Sequence, residues 1–190
     1  MPILAKEPNV YPDELFALIT SPGVDGQKWW VAYTMARHEK KLIRQLRVQR
    51  VAHFCPIYRR EWFSPGGRRR EAYLPLFPGY VFFFGDTGAY EAAWKTGCLS
   101  RVLVPPDQSE VHTQLWQLYE AEKRGARLVP EPRLEKGVRV RVVSGQFMGF
   151  EGTIVYRANR CRLVLAVDFL QRGASLELNE WEVEPIETSA

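Results

Sequence analysis

Residues Glu135 to Ile154 read EKGVRVRVVSGQFMGFEGTI, and no other stretch limits the fold so tightly. Val138, Val140 and Val142 alternate with charged residues, the two-residue period of a strand with one buried face. Gly145, Gly149 and Gly152 then fall around two aromatics, Phe147 and Phe150. Residues without a Cβ at such points let a backbone turn sharply and run close against a neighbouring strand. Further β-rich runs follow at 153–156, 162–167, 175–179 and 181–183, with Asn159 placed for the turn between the second and third strands. Five short strands at this spacing predict a small closed barrel, with Trp181 as a core residue.

The preceding chain has a different texture. Trp29 to Thr34 is rich in aromatic and β-branched residues and predicts a strand. Glu39 to Val51 sets Leu42, Ile43 and Leu46 at helical spacing, with Lys40, Lys41, Arg44 and Arg47 on the other side. A second strand is expected through His53 to Tyr58. WFSPGGRRR, from Trp62 to Arg70, carries a Pro-Gly-Gly turn between extended arms and predicts a protruding hairpin. Leu76 to Phe84 reads as a strand, Tyr90 to Lys95 as a short helix, and Leu99 to Val104 as a further strand. Ser109 to Arg124 reads as a long helix with Val111, Leu115 and Leu118 inward. This order predicts an α+β domain, one antiparallel sheet with helices packed mainly on one side. The domain plan is therefore a 1–27 extension, a 28–125 domain, a 126–135 linker and a 136–188 barrel. The Pro-punctuated extension is expected as a loosely ordered tail with an apolar patch at Leu15 to Ile19, and GARLVPEPRLE as a linker.

The net charge of +4 conceals an asymmetry: Lys28 to Glu71 holds 12 Lys/Arg against 3 Asp/Glu. That concentration makes a local positive field suited to a polyanion. The barrel region is charge-balanced, which speaks against tight RNA binding there. Cys55, Cys98 and Cys161 are scattered and odd in number, so they are expected as reduced thiols. With His38, His53 and His112 they make no ligand spacing for a metal. Neither a phosphate loop nor a nucleophile motif occurs, so no cofactor and no enzymatic activity are expected. Cys55 or Cys98 as a nucleophile lacks an identifiable base nearby in sequence. The start lacks the charged-then-apolar order of a secretory signal, and Tyr80 to Phe84 is too short to span a bilayer. The chain is expected in the cytoplasm, without membrane attachment and as a monomer.

The pattern Gly-x-x-Val-Arg-Val-x-x-Gly-x-Phe-x-Gly-Phe-x-Gly-x-Ile resembles the KOW motif, carried by Gly145, Gly149 and Gly152. KWWVAY, the basic helix after it, and LFPGYVFFF together resemble the N-terminal domain of the NusG/RfaH family of transcription elongation and antitermination factors. The resemblance covers Lys28 to Ile186 and implies a NusG-type domain followed by an SH3-like KOW barrel.

The resemblance implies a function. An apolar patch on the first domain docks onto the clamp helices of the RNA polymerase β′ subunit; by motif position its residues are Tyr33, Phe77, Tyr80 and Phe82. Binding there holds the elongation complex closed and reduces pausing. Arg44, Arg47, Arg59, Arg60, Arg68, Arg69, Arg70 and Lys95 are expected against phosphates of upstream or non-template DNA, adding affinity without reading sequence. The KOW domain tethers a ribosomal small-subunit protein or Rho, through a loop corresponding to Phe169 and Leu170. The RfaH-type base-reading His-Thr-Thr cluster is absent from DTGAYEAAWKTG, while the acidic extension resembles those of operon-specific UpxY-type paralogues. β-Branched content at 162–170 favours a barrel over the helical hairpin of RfaH-type proteins. The competing reading is a ribosome-associated or RNA-binding KOW protein.

Overall fold

The computed structural model describes residues 7–186. Residues 1–6 of the extension, and 187–188 of the span assigned to the barrel, lie outside the described residues. The chain divides into two compact units between His112 and Thr113, earlier than the expected boundary at 125. The fold is mixed, with antiparallel sheets and four helices among the described residues. None of those helices is long and apolar enough to cross a membrane.

The first unit contains β1 (Val10–Tyr11), α1 (Leu15–Leu18), β2 (Lys28–Thr34), α2 (Glu39–Val48), β3 (Ala52–Phe54), β4 (Ile57–Phe63), β5 (Arg69–Pro75), β6 (Tyr80–Gly85), α3 (Thr87–Lys95) and β7 (Leu99–Leu103). The next helix, α4 (Gln108–Lys123), begins in this unit and ends in the second. Five strands form one antiparallel sheet in the order β1-β3-β6-β2-β7. Alternation along β2 and β6 sends Trp30, Ala32, Val81 and Phe83 to one face, where Leu42, Ile43 and Leu46 of α2 and Ala93 of α3 complete a buried cluster. Burying each aliphatic side chain there is worth about 1.5–3 kcal/mol. The Asp86 carboxylate caps α3 by accepting from the Ala89 amide at 3.1 Å, which satisfies one of the donors a helix start leaves open.

Three expectations for this unit are corrected. The predicted 53–58 strand is two, β3 and β4, parted at Cys55-Pro56; proline has no amide to continue the ladder. The extension is built into the domain: β1 pairs with β3 (Val10 opposite Phe54, Tyr11 opposite His53), and Leu15, Phe16 and Ile19 are buried. Burial of those apolar side chains, with the β1–β3 pairing, offsets the cost of ordering the segment. Helices are also not confined to one face. The first turns of α4 put His112 against Trp29, whose side chain is on the face away from α2 and α3.

Where β7 ends short of Trp29, Gln108 completes the ladder. Its Oε1 accepts from the Trp29 amide at 2.6 Å and its Nε2 donates to the Trp29 carbonyl at 3.3 Å.

The second unit is a six-stranded antiparallel sheet of β8 (Val129–Glu131), β9 (Val138–Val142), β10 (Glu151–Arg157), β11 (Arg160–Val167), β12 (Arg172–Glu177) and β13 (Val183–Pro185), in the order β13-β9-β10-β11-β12-β8. Short 3-10 turns occupy Asp168–Leu170 and Glu180–Glu182. Ala158 and Asn159, both left-handed at φ +49° and +58°, join β10 to β11, as the two-residue turn of a right-twisted hairpin requires. Val140, Val142, Phe150, Leu163, Leu165, Val167 and Leu176 make the interior, whereas Val138 at the strand's start is 58% exposed.

The expected linker is a further correction, since its 129–131 segment pairs with β12. Glu131 is buried there and accepts from the Ser175 hydroxyl at 2.7 Å, which in turn accepts from Arg162 Nε at 2.9 Å. A carboxylate with such partners can be buried, so a Pro-and-charge texture does not by itself keep a segment out of a sheet.

Candidate functional site

The β2–β6 register places Tyr33 opposite Tyr80, Val31 opposite Phe82 and Trp29 opposite Phe84. Partners facing one another share a sheet face, and this is the face turned away from α2 and α3. It is graded along its length. At one end Trp29 is fully buried beneath Phe16 (5.8 Å between ring centroids) and His112 (6.1 Å), while Phe84 opposite it is half-buried. In the middle Val31 and Phe82 are buried too. At the other end Tyr33 and Tyr80 are half-buried, their rings 5.2 Å apart and tilted by 58°. The Arg101 guanidinium lies over Tyr33 at 4.9 Å, a cation–ring contact that steadies the ring without covering both faces.

The turn before Tyr80 fixes this pair. Gly79 adopts φ +86°, and a Cβ there would stand 3.2 Å from Tyr33 Cε2; glycine serves both the left-handed backbone and the close approach of the ring. The Gly79 amide donates to Glu39 Oε1 at 2.7 Å, and its carbonyl accepts from the Thr34 amide at 2.8 Å. Glu39, at the start of α2, is itself buried. Its anchoring role carries no sequence signal, because an acidic residue in a first helical turn is ordinary.

Two residues assigned to the apolar patch lie beneath the surface. Phe77 is 1% exposed and Phe82 fully buried, packed edge to face at 6.0 Å. Period-two alternation puts Tyr80 and Phe82 on one face, but it does not say where along that face the cover ends.

The basic residues separate into engaged and open sets. Arg44 donates through Nε to Glu7 at 2.8 Å, and this hydrogen bond to Arg44 holds the Glu7 carboxyl below its ordinary range. Arg47 donates to the Val10 carbonyl at 2.6 Å and lies 5.4 Å from the Tyr11 ring. Both expected phosphate contacts on α2 are thus occupied by the extension. On the hairpin, Arg59 pairs with Glu61 at 2.8 Å and with Glu71, and Arg69 pairs with Glu61 at 2.6 Å. Among the described residues no acid pairs with Arg60, Arg68 or Arg70. Lys95 is exposed in the last turn of α3.

In the second unit the glycines expected to carry a KOW motif occupy constrained positions. A Cβ on Gly152 would fall 2.4 Å from the Val164 carbonyl oxygen of the adjacent strand, and Gly145 and Gly149 are left-handed at φ +80° and +91°. Phe169 and Leu170 are half-buried in the 3-10 turn after β11. That turn is anchored by Gln114, whose Nε2 donates to Asp168 Oδ2 at 2.7 Å and whose Oε1 accepts from the Asp168 amide at 3.1 Å. Trp181, expected in the core, is 78% exposed; it lies in the 3-10 turn before β13, and Leu176 and Leu178 fill the interior instead. The three cysteines are buried and not in disulfides, and among the described residues no cluster of His, Cys, Asp and Glu is grouped to hold a metal.

Residues 27–96 match the family model described as transcription termination factor NusG. No curated protein matches the chain. A solved structure, the crystal structure of an MjSpt4:Spt5 complex in conformation B, aligns over 85% of this chain and 99% of that one. It does so at 15% identity and a TM-score of 0.27, too loose a likeness to carry an argument. The matched residues hold the Tyr33–Tyr80 pair, the anchored Gly79 turn and the basic hairpin, and the first unit of this chain is a NusG-family domain.

Proposed function

We propose that this chain is a transcription elongation and antitermination factor that binds the clamp helices of RNA polymerase and reduces pausing. The NusG-family domain supports the transcriptional role. One observation carries the finer reading: an aromatic pair, Tyr33 and Tyr80, is half-buried and held in place at one end of a sheet face whose middle, Val31 and Phe82, is buried. Rigid amphipathic rings at an apolar surface are what anchoring an amphipathic helix requires. Phe77 and Phe82, buried and packed against each other, do not touch the partner in this reading. Arg60, Arg68, Arg70 and Lys95 are the cations open to phosphates. The protein supplies binding free energy that biases the clamp toward its closed state, with no chemistry of its own.

The second unit is read as a KOW barrel that recruits a further partner, a ribosomal small-subunit protein or Rho, through Phe169 and Leu170. Its balanced charge argues against the competing reading, an RNA-binding KOW protein. A pausing assay tests the whole. The wild-type chain shortens pause lifetimes on a defined template, and the Tyr33→Ala/Tyr80→Ala double variant does not. Equal effects of the two proteins would remove the clamp reading.

A further inference from the structure

The β4–β5 ribbon has two chemically different faces. Its register sets Arg59 opposite Tyr73, Glu61 opposite Glu71 and Phe63 opposite Arg69 on one face. There the two arginines are neutralised by the two glutamates through the ion pairs Arg59–Glu61, Arg59–Glu71 and Arg69–Glu61. The other face carries Arg60 opposite Ala72 and Trp62 opposite Arg70. Carried one rung further, to Ser64 and Arg68, joined by the Ser64 amide donating to the Arg68 carbonyl at 2.9 Å, alternation adds a third cation. Arg60, Arg68 and Arg70 have no acidic partner among the described residues. In their midst the Trp62 indole is 41% exposed, and among the described residues neither ring nor cation lies against it.

We propose that this face binds single-stranded DNA, with the Trp62 indole stacking on an unpaired base while Arg60, Arg68 and Arg70 hold the flanking phosphates. It rests on the nucleic-acid part of the proposed function and sharpens it: one face, one form of DNA, one stacking ring. A surface meant for duplex phosphates needs only cations. An open indole among those cations has a use when a base offers its own π-face, which a base inside a duplex does not. The displaced strand of the proposed function is DNA; the guanidinium and indole donors do not themselves distinguish it from RNA, whose 2′-hydroxyl both donates and accepts. Stacking and phosphate contact tolerate any base, and the binding is therefore insensitive to sequence.

The test titrates the full chain against a labelled oligo(dT), a duplex of matched length and the corresponding RNA, over a range of salt. The single DNA strand binds tighter than the duplex and no weaker than the RNA. Trp62→Ala weakens it by roughly 5- to 150-fold, while Trp62→Phe, which keeps a ring, recovers most of the loss. Replacing Arg60, Arg68 and Arg70 together by Gln reduces the log–log salt slope by about 2. The charge-neutral pair Arg59→Gln with Glu71→Gln leaves the slope as it was. Circular dichroism and the melting temperature check that each variant is folded. Preference for duplex or RNA, unchanged affinity in Trp62→Ala, or a slope that falls in the charge-neutral pair would each overturn the inference while leaving a nucleic-acid role in place. No binding to any of the three would overturn both.

Discussion

Phe16 lies with its ring 5.8 Å from that of Trp29, inclined by 27°. It also meets Phe54 edge to face at 5.3 Å. One residue of the N-terminal extension thereby closes the end of the sheet face opposite to the end where Tyr33 and Tyr80 remain accessible. Truncating Phe16 to Ala should cost about 3 kcal/mol, the lower part of the range for a buried phenylalanine. Leu18, two residues on and 67% exposed, should change stability by less than about 0.5 kcal/mol when replaced by Ala. Urea unfolding of the two variants separates a built-in segment from a tail; equal midpoints would mean the extension adds nothing to the fold.

Tyr80 and Phe82 are two residues apart on β6, yet they should fail differently. Tyr80→Ala is expected to lower affinity for a clamp-helix fragment of the β′ subunit by about 2 kcal/mol, as an interface anchor does, with little loss of stability. Phe82→Ala removes a fully buried ring and should cost about 3–5 kcal/mol of folding free energy. Calorimetric titration alongside thermal melting resolves the two effects. If Tyr80→Ala destabilises as much as Phe82→Ala, the tyrosine is core.

His53 makes the stability of the first unit depend on pH. Burial, against the opposing effect of its bond to the Val51 carbonyl at 2.8 Å, pushes the imidazole from 6.5 down to about 4. Arg47 nearby acts in the same direction as burial. Between those values the unfolded chain takes up a proton that the folded chain refuses. The stabilisation is complete above about pH 6.5 and is lost as pH falls towards 4, on the order of 3 kcal/mol over the window. Burial lowers the His112 pKa as well, so a smaller slope of the same sign persists without His53. In His53→Asn, whose amide can replace the ring's donor to Val51, stability measured between pH 6.5 and 5 should fall less steeply than in the wild type. An identical slope in both proteins would assign the acid sensitivity elsewhere.

Gly152 and Gly66 give a matched pair of glycine substitutions. A methyl group on Gly152 meets the Val164 carbonyl of the neighbouring strand, whereas one on Gly66 at the hairpin tip meets nothing within 4 Å. Gly152→Ala should therefore destabilise the second unit by about 1–3 kcal/mol through overpacking, and Gly66→Ala should leave the first within about 0.5 kcal/mol of wild type. Thermal melts decide it; a neutral Gly152→Ala would mean that β10 and β11 can move apart at no cost.

Much of the fold was legible because period and punctuation are local. Leu42, Ile43 and Leu46 announced the buried stripe of α2, and the Pro-Gly-Gly run announced the β4–β5 hairpin. Asn159 and the valines of β9 did the same for the second unit. At the candidate site, the motif points to Tyr33 and Tyr80, and the density of charge points to the hairpin arginines. What the sequence left open has one source. Phe77, Phe82, Arg44, Arg47 and Trp181 each needed to know what lies above them, and that is set by segments far away in sequence. Val10 and Glu7 engage α2 across 37 residues, and Gly79 is anchored by Glu39 across 40.

The sequence by itself determined the order of elements, the face to which each strand residue points, the position of the obligatory glycines and the location of excess positive charge. These follow from backbone sterics and from apolar periodicity, which act between neighbours. Only the tertiary structure decided which of those residues remain available. Exposure depends on long-range packing, and ion pairing depends on which acid lies across the ladder. Hence Tyr33 and Tyr80 reach the surface where Phe82 does not, and Arg60, Arg68 and Arg70 keep their charge open where Arg59 and Arg69 are neutralised.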